Sequence, residues 1–211
     1  MFTEIKEKDQ EDMASRKYRL KKRAVQQAET RQQIVEATVH LHETIGVPGT
    51  TITAIAKQAG VERLTVYRHF SDQQSLLTAC TSHYFSQNPL PDPGQWESIA
   101  DPELHLRAAL GEIYAFYRRT EAMMSTTYRD IVNERTLQEV LAPFFEYWRD
   151  IRDQLAEKYP GTDERSPLVC AAIGHAIHFF TWHSLVRQQG LGNDQAVEVM
   201  AAMVQCVSAM K

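Results

Sequence analysis

The chain has 211 residues, of which 43% are hydrophobic and 24% charged, with a net charge of -4. That composition is ordinary for a globular protein and excludes a collagen-like or disordered chain, and the length accommodates one large domain or a small one joined to a larger one. No apolar run approaches the ~20 residues that cross a bilayer, and the opening MFTEIKEKDQEDM is charged where a secretory signal is apolar, so a cytoplasmic chain without a membrane partner is expected.

The net charge conceals an asymmetry. Residues 1–13 are acidic, residues 14–70 carry ten Lys or Arg against four Asp or Glu, and residues 71–211 are acidic again. A basic block on an acidic body is the electrostatic layout of a nucleic-acid-binding module joined to something else. Cys80, Cys170 and Cys206 are widely spaced and form no CxxC, so they read as free thiols rather than a disulfide or zinc framework.

Apolar residues recur at spacings of three and four, and no sustained alternation of period two appears, so the fold class is all-α. A helix is expected over residues 29–45, with Ile34, Thr38, Leu41 and Ile45 on one face and Gly46 ending it. Two short helices follow within residues 51–70. In the first, Ile52, Ile55, Ala56 and Ala59 face inward; Gly60 takes the turn; Val61, Val66 and Phe70 anchor the second. The outer face of that second helix then presents Arg63, Leu64, Thr65, Tyr67, Arg68 and His69. Arginine reads guanine edges, Thr and Leu methyls meet the thymine methyl, and Tyr, Thr and His donate to phosphate.

A connecting helix is expected over 71–87, capped by Ser71 or Asp72 and stopped by NPLPDPG. Further helices are expected at about 102–119, 121–132 and 135–158, with Pro143 kinking or splitting the last. Ser166-Pro167 starts a helix that runs to Gly190, and Asn193-Asp194 caps a final helix that is apolar around most of its circumference and asks for cover from a second subunit.

The stretch TTITAIAKQAGVERLTVYRHFSDQQSLL, residues 50–77, resembles the DNA-binding signature of the tetracycline-repressor (TetR) family, and the likeness runs from about Thr30 to Leu77. It departs from the family pattern at Leu64, where a small residue is usual, and at Gln73, where Lys is usual. The resemblance implies a three-helix DNA-binding domain with a helix-turn-helix, followed by a larger helical domain for ligand binding and dimerisation. The corresponding division is a basic extension at 1–28, a DNA-binding domain at 29–75 with its motif at 51–70, and a regulatory domain at 76–211. Operator contacts are expected from Thr51, Thr53, Arg63, Leu64, Thr65, Tyr67, Arg68 and His69. Lys22 and Arg23 are expected to join them, from a basic run (Arg16, Lys17, Arg19, Lys21, Lys22, Arg23) that compensates for the missing lysine at 73.

The resemblance also implies a homodimer on a near-palindromic operator, formed by the last two helices, with Ala171, Gly174, His178, Val197, Met200, Val204 and Val207 at the interface. A cavity for a small apolar or aromatic effector is expected among Tyr117, Met124, Tyr128, Phe144, Trp148, His175 and Phe179, with Arg118, Arg119 and Arg129 as further anchors for an acidic group. No cofactor or metal is expected. The chain carries no paired Glu-x-x-His, P-loop, GxGxxG, GxSxG or HExxH, which argues against an enzyme. The competing reading is a helix-turn-helix adaptor or constitutive DNA-binding module with no effector.

Overall fold

The computed structural model describes residues 2–159 and 166–210, with side chains described over 16–159 and 167–210. Every described element is helical: α1 Phe2–Thr44, α2 Ile52–Ala59, α3 Arg63–His69, α4 Gln73–Gln87, α5 Pro102–Asp130, α6 Arg135–Glu157, α7 Ser166–Ala176, α8 Phe179–His183 and α9 Asn193–Ser208. A 3-10 turn lies at Pro93–Gln95 and a π turn at Ser184–Gln188. The chain divides between residues 83 and 84 into two compact units. That point lies inside α4 and further along than the expected 75/76, because Leu76 and Cys80 are buried in the core of the first unit.

In the first unit, Ile34 and Val35 of α1, Ile55 and Ala56 of α2, and Val66 and Phe70 from α3 close one apolar core. Full burial of such side chains contributes about 1.5–3 kcal/mol each. Two departures concern α1. The expected start near Glu29 is overtaken by a helix that already runs from Phe2. At its other end Ile45 stays 46% exposed, because the helix stops at Thr44 and Gly46, at φ 81°, turns the chain away. Asp72 caps α4: its carboxylate accepts from the Ser75 N–H at 2.7 Å, and those bonds hold it below the usual carboxylate range.

The second unit is built on α5, whose face of Leu106, Leu110, Ile113, Tyr117 and Met124 is buried. Asp101 caps it, accepting from the Leu104 N–H at 2.8 Å. The break expected near residue 120 is absent, since Thr120 turns its hydroxyl back onto the Phe116 carbonyl at 2.7 Å and the helix passes through it. α6 buries Leu137, Leu141, Phe144, Trp148, Ile151 and Leu155 and runs through Pro143. The carbonyl that Pro143 cannot serve belongs to Glu139, an exposed residue of the helix.

The single helix expected from Ser166 to residue 189 is instead broken and bent by 55° between α7 and α8. Two amides are diverted at the break: Phe180 N–H goes to Nδ1 of His178 at 3.3 Å, and Thr181 N–H to the His178 carbonyl at 3.0 Å. The carbonyls they would have met in a continuous helix, Ala176 and Ile177, accept instead from the Tyr114 and Tyr117 hydroxyls at 2.8 and 2.7 Å. The cap expected from Ser166 involves a side chain outside those described. Asn193 does not cap α9 either: its Oδ1 accepts from Trp182 Nε1 at 3.1 Å, while the Gln195 side chain accepts from the Gly192 N–H.

Candidate nucleic-acid interface and candidate effector site

The helix-turn-helix is set by local chemistry. Thr51 caps α2, its hydroxyl accepting from the Ala54 N–H at 3.2 Å. Gly60 sits at φ 67° and ψ 29°, the left-handed region, so that Val61 N–H reaches the Ala56 carbonyl at 3.0 Å and the chain turns directly into α3. With Val66 buried at 0% exposure and Phe70 at 4%, α3 is rotated so that Arg63, Leu64, Tyr67 and Arg68 face outward. Leu64 is 56% exposed and Tyr67 51%, which places two large apolar side chains in solvent between two guanidinium groups. Thr51 and Thr53 are exposed beside them, and Thr51 keeps its hydroxyl proton free to donate.

Thr65, Arg68 and His69 lie on the side of α3 that faces α1, where a groove of about 740 Å³ separates the two helices. Arg23 and Arg31 line it from α1, and among the described residues no carboxylate does. Lys22 is not among the lining residues; at about 100° per residue its position lies a quarter-turn or more from that face. Arg31, which the sequence reading overlooked, stacks over the Phe70 ring with its guanidinium carbon 4.7 Å from the centroid. The available signal was its i, i+8 relation to Arg23, two turns along one face.

In the second unit Tyr117, Phe179, Trp148, Phe144 and Tyr128 join into one aromatic cluster. Tyr117 lies 5.5 Å from Trp148 and 5.4 Å from Phe179 between ring centroids, and Tyr128 stacks on Phe179 at 5.4 Å. Met124 is buried in the same unit. Burial pushes the Tyr128 phenol up to about 12 and Tyr117 well above its ordinary value, so both remain neutral donors. Trp148 Nε1 is buried and has no hydrogen-bond partner among the described residues. His175 does not belong to this interior: it is exposed on α7, held outward by the helix phase that buries Ile173 and Ala176. The expected basic anchors are also turned elsewhere. Arg129 pairs with Asp130 at 2.7 Å, Arg119 donates to the Pro89 carbonyl at 2.9 Å, and Arg118 is exposed. Among the described residues no group of three His, Cys, Asp or Glu is placed to hold a metal ion.

The last helices separate the expected interface residues into two sets. Ala171 and His178 are exposed on α7 and its end, with Gly174 half-buried. Val197, Met200 and Val204 are buried at 7%, 3% and 0% exposure within their own unit, where α9 packs on α5 and α7, and Val207 is half-buried. The outward stripe of α9 is instead Val199, Ala202, Met203 and Cys206, the opposite phase of the same helix.

Comparison with known proteins follows the same division. Residues 34–80 match the family of bacterial regulatory proteins, tetR family. Over 87 residues the chain is 37% identical to a Pseudomonas putida protein named as an uncharacterized HTH-type transcriptional regulator, TtgW, covering 37% of this chain and 63% of that protein. It is 36% identical over 87 residues to the HTH-type transcriptional regulator SrpR of Pseudomonas putida, covering 37% of this chain and 40% of that one. The matched region thus spans less than two thirds of either relative. Among solved structures, a TetR-like transcriptional regulator from Rhodococcus sp. RHA1 superposes with a TM-score of 0.65 at 18% identity, over 86% of this chain and 97% of that one. A TetR transcription regulator from Haloarcula marismortui superposes with a TM-score of 0.55 at 14% identity, over 86% and 97%.

Proposed function

We propose that this chain, whose residues 34–80 match the tetR family of bacterial regulatory proteins, is a ligand-responsive repressor that binds a near-palindromic operator as a homodimer. The observation that carries the reading is the outer face of α3, where Arg63 and Arg68 flank the exposed Leu64 and Tyr67. Basic, aromatic and aliphatic side chains together on one exposed helix face are groups that suit a DNA groove. In the proposed complex Arg63 and Arg68 read guanine edges, Leu64 meets thymine methyls, and Tyr67, Thr51, Thr53, Thr65 and His69 donate to phosphates and bases.

Dimerisation through the outward stripe of α9 and the exposed side of α7 sets two α3 helices one DNA turn apart, roughly 34–36 Å. The effector enters the aromatic interior of the second unit. Trp148 Nε1, buried without an acceptor, favours a flat apolar molecule that carries one acceptor atom. The ligand acts by preferring the dimer state whose α3 spacing does not fit the operator, since only differential affinity shifts such an equilibrium.

A second reading, a constitutive DNA-binding module without an effector, is favoured by the close ring-to-ring packing of Tyr117, Phe179 and Trp182 and by the satisfied hydroxyls of Tyr114 and Tyr117. Selection of the purified protein on random duplexes at two salt concentrations tests the shared part. An enriched near-palindrome with half-sites about 10 base pairs apart supports the operator reading, and salt-sensitive binding with no enriched motif overturns it. A thermal-shift screen with flat aromatic compounds separates the two readings. A ligand at about 100 times its Kd adds about 2.7 kcal/mol, and the module reading predicts no shift and no release from the enriched duplex.

A further inference from the structure

We propose that the basic stretch of α1 is a second DNA-contacting element, in which Arg16, Arg19 and Arg23 prolong the groove beside α3 into a cationic track for the phosphate backbone of the duplex. The proposal rests on the operator-binding reading above and adds to it an element outside the helix-turn-helix.

The first support is helix phase. α1 is continuous from Phe2 to Thr44, so positions along it rotate by about 100° per residue. Arg23, Gln27 and Thr30 line the groove facing α3. Arg16 and Arg19 lie within about 60° of the centre of that face, whereas Lys17, Lys21 and Lys22 lie about 100–150° away. The three arginines therefore form a single stripe in register with Arg68 and His69, over a rise of about 10 Å. At 3.4 Å per phosphate along one strand, that rise spans about three phosphates.

The second support is that, among the described residues, these charges meet no carboxylate. In the second unit the arginines sit on carboxylates: Arg107 on Glu103 and Glu198, Arg135 on Glu139, Arg152 on Asp153, Arg187 on Glu121. Among the described residues, no carboxylate pairs with Arg16, Arg19, Arg23, Arg63 or Arg68. Residues 14–28 contain no Asp or Glu, and side chains 16–29 are all exposed. The six like charges between Arg16 and Arg23, which meet no carboxylate among the described residues, repel each other, and a polyanion relieves that repulsion while matching the planar guanidinium fork.

The test compares two full-length variants that remove equal charge from opposite faces, Arg16→Gln/Arg19→Gln/Arg23→Gln and Lys17→Gln/Lys21→Gln/Lys22→Gln. Affinity for the selected operator and for a random duplex is titrated against salt. Loss of three phosphate contacts lowers the slope of log K against log salt by about 2.7, which is about a 40-fold difference between 50 and 200 mM salt. That loss in the arginine variant, with the lysine variant changed by less than about one unit of slope, supports the track. Equal effects of the two variants, or none in either, overturn it. Circular dichroism establishes that both variants keep their helix content. Because the comparison is also made on the random duplex, it decides the track even where no operator motif is enriched, the outcome that overturns the operator reading instead.

Discussion

Replacement of Tyr117 by Phe removes one oxygen from the most enclosed part of the second unit and nothing else. In the native fold that oxygen donates to the Ile177 carbonyl at 2.7 Å, from a residue 1% exposed. The carbonyl has no replacement, because the amide that would serve it in a continuous helix, Thr181 N–H, is bound to His178. A buried acceptor left unpaired costs about 1–3 kcal/mol. For a chain of this length, each kcal/mol lowers the melting midpoint by about 2–4 °C. The Tyr117→Phe variant should therefore melt on the order of 3–10 °C lower by scanning calorimetry or circular dichroism. Tyr114→Phe, which strips the Ala176 carbonyl of its donor, should behave alike. The double variant should depart from additivity, because both hydroxyls hold the same helix break. Tyr147→Phe is the control: its hydroxyl also meets a carbonyl, that of Pro91, but it is only half-buried, so water replaces the lost donor and the shift stays below about 1 kcal/mol. A Tyr117→Phe protein as stable as the wild type would refute the claim that tyrosine hydroxyls hold the α7–α8 break.

Gly60→Ala should destabilise by about 1–2 kcal/mol in urea unfolding; nothing lies within 4 Å of the added Cβ, so the cost comes from φ 67° alone. If the proposed dimer forms through the outward stripe of α9, Met203→Glu should shift its sedimentation toward monomer at micromolar concentration, while Val132→Glu, 72% exposed elsewhere in the second unit, leaves it unchanged. Alkaline pH should destabilise the second unit from the ordinary phenol range upward, before its buried phenols ionise in the native state. Tyr117 and Tyr128 have folded values raised above the ordinary 10, Tyr128 to about 12, so their stabilisation is complete below pH about 10 and is lost as pH rises toward 12. Stability from urea unfolding at pH 8, 10 and 11 should fall by about 1.4 kcal/mol per pH unit above pH 10 for each such phenol, and a flat profile there would contradict the burial.

The helix-turn-helix was legible because its signals are local and agree: Gly60 for the left-handed turn, Ile55 and Ala56 on the inward face, Val66 and Phe70 at core spacing. The break between α7 and α8 was not, because its cause lies in tyrosines about sixty residues earlier in the chain. Nothing in the apolar run after Ser166 distinguishes a straight helix from a bent one. The phase of α9 escaped the sequence for a different reason: a helix apolar around most of its circumference has no periodicity to phase it, and only packing on α5 and α7 selects Val197, Met200 and Val204 as the inward set. The helical state of the N-terminal extension was hidden because an exposed basic run has no apolar stripe to reveal a period, although Ala, Leu, Arg, Lys and Gln all favour helix.

The exposure of side chains 16–29 has an energetic corollary for α1. From about Arg31 onward the helix is tied to its unit, by Arg31 over the Phe70 ring and by Ile34 in the core, whereas the exposed turns at 16–29 rely on their own backbone bonds and intrinsic propensity, and isolated helices of that length are marginal in water. Lys17 with Lys21 and Arg19 with Arg23, one turn apart, weaken it further by a few tenths of a kcal/mol per pair. Amide hydrogen exchange should therefore accelerate steadily from Ile34 back toward Arg16 in the free protein, and a duplex that neutralises those pairs should slow it, making the gradient of protection along one helix a direct gauge of how far the nucleic acid reaches.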